Sequence, residues 1–191
     1  MDQAALKKMR TKQVVISNLL FGVMILIFFV LIQKVEIQFT YFFLCLGIFM
    51  LLQGIYGLIK KGSTKSFIPI FEQVAIYEKE KLGKEWEKEQ RVENIWKLIL
   101  SGLMFFQSFS LQTIPDSFFE IELKFLIFLF VMALAIINIS MLFRFRKIDR
   151  STEAHGLKGF TKESNMLAMA LGLLSVIVIF GFIVIFLLPL N

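Results

Sequence analysis

Residues 60–94 read KKGSTKSFIPIFEQVAIYEKEKLGKEWEKEQRVEN, the longest polar interval in a chain of 191 residues. Apolar runs lie on both sides of it, so the membrane face that holds this stretch orients the rest. The chain is 57% hydrophobic and 19% charged. A soluble domain of this size cannot hide so much apolar surface, and the charges are segregated rather than dispersed. The pattern is that of an all-α polytopic membrane protein.

Working outward from the polar stretch gives five expected spans, at about 14–32, 39–59, 95–114, 124–143 and 166–188. Each is long enough to cross a hydrocarbon core of about 30 Å at about 1.5 Å per residue. The strict alternation and shorter length of barrel strands are missing. Residues 1–12 are basic and precede the first run, as in a signal peptide. The run is too long for one, and Gln33, Lys34 and Val35 stand where a small-residue cleavage site belongs. Pro115, Asp116 and Ser117 make a turn after the third span. Ser164 or Asn165 is placed to cap the fifth. Residues 151–165 between the fourth and fifth spans, with Gly156 and Gly159, read as a flexible loop. Gly54 and Gly57, one turn apart, permit close helix approach, but glycine is common in membrane helices anyway and the plainer reading is preferred. A faint echo of Phe21-Gly22-Val23-Met24 in Ser101-Gly102-Leu103-Met104 is read as chance.

Nineteen of the twenty-one Lys and Arg residues fall in three segments on one side: 1–12, 60–97 and 144–162. Only Lys34 and Lys124 fall on the other. The positive-inside rule then puts the N-terminus and the polar stretch in the cytoplasm and the C-terminus outside. The wealth of Phe, Ile and Lys suggests an AT-rich bacterial genome, and the membrane is read as the bacterial cytoplasmic (plasma) membrane. The net charge of +6 is accounted for by topology, so no nucleic-acid partner is inferred.

Within the polar stretch, Phe67, Ile70, Phe71, Val74 and Tyr77 share one helical face, with Ser66 as a cap and Pro69 in the first turn. Glu78 closes that face, and Gly83 is a natural break. The expectation is a cytoplasmic amphipathic helix over 66–82, lying at the membrane surface. Span three then extends into the cytoplasm, supported by the pairs Glu80–Lys84 and Glu87–Arg91. Trp86, Phe67 and Phe71 are candidate partner-docking residues, with packing of Trp86 against its own chain as the plainer reading.

No Asp, Glu or His lies inside a span, and no catalytic, phosphate-loop or dinucleotide motif occurs. The single Cys45 and single His155 offer no metal-ligand set. No enzyme, metal or cofactor is expected. The polar groups at membrane depth are Asn18, Gln53, Lys97, Ser101 and Asn138, an inner-leaflet cluster. On span three, Lys97, Ser101, Ser108 and Gln112 form one stripe. The cluster reads first as interhelical hydrogen bonding and second as a polar cavity for a headgroup or small solute. Arg144, Arg146, Lys147 and Arg150 are candidate anionic-lipid contacts, or simply topology determinants. The functional expectation is a non-enzymatic accessory or regulatory subunit acting through the bilayer and another membrane protein or self-association. An oligomeric transporter or channel component for a small polar or lipid-like solute is the alternative.

Overall fold

The computed structural model describes residues 2–34, 37–60, 62–112, 123–151 and 157–182. The described residues form six helices: α1 (Gln3–Lys34), α2 (Phe39–Ile59), α3 (Pro69–Leu82), α4 (Lys84–Leu111), α5 (Leu123–Arg150) and α6 (Phe160–Phe182). Four of them, α1, α2, α5 and α6, are long and apolar enough to cross a membrane. Their large side chains face outward in number, as lipid solvation allows: Met24, Leu52, Ile127 and Ile177 are all exposed. The chain is therefore a helical membrane protein. The helix α4 is different, because its first eleven residues, from Lys84 to Asn94, are polar apart from Trp86 and Val92, and Lys97 interrupts the apolar remainder.

Helices α2 and α4 form the tightest pair. They run antiparallel in one seam, with small or polar residues every seven positions on both sides. The Ser108 hydroxyl donates to the Thr40 carbonyl at 2.9 Å, and that of Ser101 to the Gly47 carbonyl at 2.8 Å. One heptad on, Gly54 lies against Leu98 and Asn94. A methyl at Gly54 would fall 2.7 Å from Leu98 Cδ2 and 3.2 Å from the Asn94 carbonyl oxygen. At Gly57 it would collide with the Asn94 side-chain amide. The glycines thus serve close approach rather than the plainer role preferred from sequence.

Away from this seam, α5 packs antiparallel to α1 and to α6. Phe21 stacks on Phe130, and Phe128 on Phe182 with ring centroids 4.0 Å apart. Helices α3 and α4 are separated by Gly83 alone, at φ 54°, a conformation that favours glycine; its N–H caps α3 on the Lys79 carbonyl at 2.9 Å. The break fell where the sequence put it.

Other boundaries differ from the sequence reading. Helix α3 starts at Pro69 with Ile68 as its cap residue, and the Ser66 hydroxyl merely accepts the Ile68 N–H at 3.4 Å. The break at Gly83 precludes a Glu80–Lys84 helical pair, and Glu87 approaches Lys79 instead of Arg91. Helix α6 begins at Phe160, one and a half turns before the expected cap, because Leu157 and Phe160 are anchored in a core with Leu82, Trp86 and Ile148. The predicted loop is therefore ordered from residue 157 onward. The Pro115-Asp116-Ser117 turn, His155 and the end of the fifth expected span lie outside the described residues.

Candidate functional site

The buried stripe of α3 is Ile70, Val74, Glu78 and Leu82, each four residues from the last. Ile70 and Val74 pack on Met9 of α1, and Leu82 on Trp86. Glu78 therefore points inward with the apolar residues instead of closing their face. Its side chain is 5% exposed. A carboxylate so buried requires compensation, and two arginines supply it. Arg10 Nη1 donates to Glu78 Oε1 at 2.7 Å, and Arg144 Nη2 to Oε2 at 2.7 Å.

Each arginine then grips a second carboxylate with two hydrogen bonds. Arg10 Nε and Nη2 reach Asp149 at 3.1 and 2.7 Å. Arg144 Nη1 and Nη2 reach Glu89 at 2.6 and 3.0 Å. Gln13 accepts from Arg10, and the Ser164 hydroxyl donates to Glu89. The Phe145 ring lies 4.3 Å from the Arg10 guanidinium carbon, and Phe160 lies 5.4 Å from that of Arg144. The order Asp149, Arg10, Glu78, Arg144, Glu89 alternates in sign. It draws on α1, α3, α4 and α5, and Ser164 adds α6. All these positions lie at one end of the bundle.

A second lock lies beside this network. The Glu85 carboxylate accepts the Thr161 backbone N–H at 3.2 Å and its hydroxyl at 2.7 Å. An acid in the first turn of α4 thus satisfies an orphan donor at the start of α6. These hydrogen bonds from Thr161 hold the Glu85 carboxyl below its ordinary range. Burial next to Asp149 pushes the Tyr77 hydroxyl up. Lys147 pairs with Glu163 on the same side.

The five polar residues expected to cluster do not gather at one point. Asn18 and Asn138 exchange reciprocal amide hydrogen bonds at 3.0 Å, joining α1 to α5. Ser101 belongs to the α2–α4 seam. The stripe on α4 is Asn94, Ser101 and Ser108, since Gln112 is exposed and Lys97 pairs with Glu93 at 2.9 Å. Gln53 and Lys97 instead line a cleft of about 760 Å³ between the end of α2, the segment after it, and α4.

Of the residues expected to dock a partner, Trp86 is 4% exposed and belongs to the core, so it offers no docking surface. Its wide apolar ring is better satisfied by Leu82, Ile148, Leu157 and Phe160 than by solvent. Phe71 packs at the edge of the Met9 core, while Phe67 is fully exposed. Arg144 is drawn into the ion network, and Lys147 is paired. Arg146 and Arg150 have no ion pair among the described residues.

The network was missed in the sequence because its partners are 55 to 139 residues apart. One signal was present: Glu78 lies four residues from both Val74 and Leu82, on an apolar stripe. A carboxylate there demands a cation from elsewhere.

No protein-family model matches the chain, and no curated protein or solved structure matches it either. Among the described residues no group of His, Cys, Asp and Glu is arranged to hold a metal ion.

Proposed function

We propose that the chain is a five-span protein of the bacterial plasma membrane, with the ion network in the cytoplasm, that acts as a non-enzymatic accessory or regulatory subunit. Support for a fifth span comes from the α2–α4 seam. Because Thr40 meets Ser108 and Gly54 meets Asn94, the apolar part of α4 lies at the same depths as α2. Ile99, Leu103, Phe106 and Phe109 of α4 are exposed, as a lipid-facing side would be. Orientation is supported by the excess of Lys and Arg at the network end. Helix α3 then lies at the inner surface, with Phe67 free to enter the interface.

One observation carries the association reading. The most elaborate polar constellation in the molecule spends its charges on itself. Every carboxylate in it accepts from an arginine, and every arginine is gripped by two acids. Such an arrangement fixes helices relative to one another and holds a surface in shape. The surface it holds includes α6, where Met169, Leu173, Val176, Ile177 and Phe180 form one exposed apolar stripe. We assign this stripe to a helix of another membrane protein.

The test is photocrosslinking in cells, with a photoreactive residue at Leu173 and a second at Phe67. A crosslink from Leu173 to a distinct membrane protein is expected. Products confined to lipid would overturn the association reading, and products confined to a second copy would replace the partner with the chain itself.

A further inference from the structure

The cleft beside α2 and α4 has a polar amide open to it. Asn94 is 5% exposed, lines the cleft, and its side-chain amide makes no hydrogen bond with any described residue. Among the described residues no fully buried side-chain N or O lacks a partner, so the Asn94 amide keeps its small accessible area toward the cleft, where a ligand can reach it. The amide is seated there by Gly57, where any side chain would displace it.

The charges around it have one dominant sign. Lys60, Lys65, Arg91 and Lys97 line the cleft, against a single carboxylate, Glu87. That carboxylate is drawn toward Lys79, whose Nζ lies 4.0 Å away. Arg91 and Lys65 have no ion pair among the described residues, and the Lys97 ammonium is shared only with Glu93. Lys60 lies 5.5 Å from the Tyr56 ring and donates to the Lys65 carbonyl, which ties the two lysines to one wall. Gln53 adds a second amide deeper in the apolar part of α2.

We propose that this cleft binds a phosphate-type oxyanion. Arg91 supplies a fork that matches phosphate geometry, Lys97 and Lys60 supply point charge, and the Asn94 amide donates from the floor. The cleft runs from Gln53, inside an apolar helix, out to Glu87 in the polar segment. That span suits a phosphate carried by a lipid headgroup, and the same groups would hold a free phosphate. The lipid source rests on the proposed placement of this end at the inner membrane surface, which cysteine accessibility reads separately. The phosphate chemistry does not.

The experiment is native mass spectrometry of the full chain released from detergent with added phosphatidylglycerol or phosphatidylcholine at equal concentration. A parallel arm adds glycerol phosphate or inorganic phosphate without lipid. Wild type is expected to retain phosphatidylglycerol in preference to phosphatidylcholine. The variant Arg91→Gln/Lys97→Gln should lower that retention by roughly 10- to 30-fold, at about a factor of five per charge removed. Lys7→Gln/Lys8→Gln, which removes the same charge from the exposed side of α1, should change it less than about twofold. Asn94→Ala, which alters no charge, should lower it by about threefold or more. Arg91→Gln alone, at an exposed position, serves if the double variant does not fold. Retention of soluble phosphate but not lipid, lost in the same variants, identifies free phosphate as the source. Equal losses in the cleft and α1 variants, or no loss in either, would overturn the proposal.

Discussion

Replacing Glu78 with Gln changes one oxygen for an amide and leaves the volume of the side chain intact. The consequence is large because of where it happens. Glu78 accepts from both Arg10 and Arg144, and its side chain is 5% exposed. Gln offers one acceptor and places an NH₂ against a guanidinium. Removing one member of a buried ion pair costs about 3–5 kcal/mol. Here each arginine keeps a second carboxylate, and the Arg144 side chain is 25% exposed, so the lower end applies. The expected loss is about 3 kcal/mol, or roughly a hundredfold in the folding equilibrium. Reversible unfolding in mixed micelles, followed by circular dichroism, measures it. Asp149→Asn, with a side chain 19% exposed, should cost less, about 1–2 kcal/mol. A Glu78→Gln variant within about 0.5 kcal/mol of wild type, as for an ordinary surface change, would show that the network does not hold the helices.

Other substitutions test the remaining contacts. Gly54→Ala should separate α2 from α4 and destabilise by about 1–3 kcal/mol, because a backbone carbonyl faces the new methyl and cannot move aside. Gly102→Ala, where a methyl meets open space, should be neutral or slightly stabilising in the same unfolding assay. Asn138→Leu breaks the amide pair with Asn18 and should cost about 0.6–2 kcal/mol, most of it absent when Asn18 is also replaced. The Glu85 carboxyl is depressed by Thr161, so its contribution is fully present above the ordinary carboxylate pKa and is lost as pH falls through the lower folded value. Thr161→Val should move that acid loss upward in pH, read by hydrogen exchange at the start of α6; an unchanged profile would count against the lock.

The fold was legible where local pattern sufficed. Apolar length marked five spans, four of which are helices long and apolar enough to cross a membrane, and Gly83 marked the break between α3 and α4. Depth along the spans placed Asn18 and Asn138 at one level, and the two amides do bond. The heptad spacing of Ser101 and Ser108 was visible, but its counterpart was not. Thr40, Gly47 and Gly54 share that spacing on α2, and only the two periods read together disclose the seam. The charged residues misled because each has a sufficient local explanation. Arg144 follows a span, as topology requires, and Arg10 precedes one. Their common interest in Glu78 is a property of tertiary packing, which brings together residues that no window of sequence contains.

The central claim is that α4 crosses the membrane beside α2, with the ion network on the cytoplasmic side. Cysteine accessibility tests it most directly, because Cys45 is the only native cysteine. In a Cys45→Ala background, Glu87→Cys and Gln112→Cys variants are probed with an impermeant maleimide in intact cells and in inverted vesicles. Glu87 is exposed in the first turn of α4, and Gln112 is exposed just past its last residue. Labelling of position 112 from outside, and of position 87 only in inverted vesicles, is the predicted result. Labelling of both positions from the same side would contradict it.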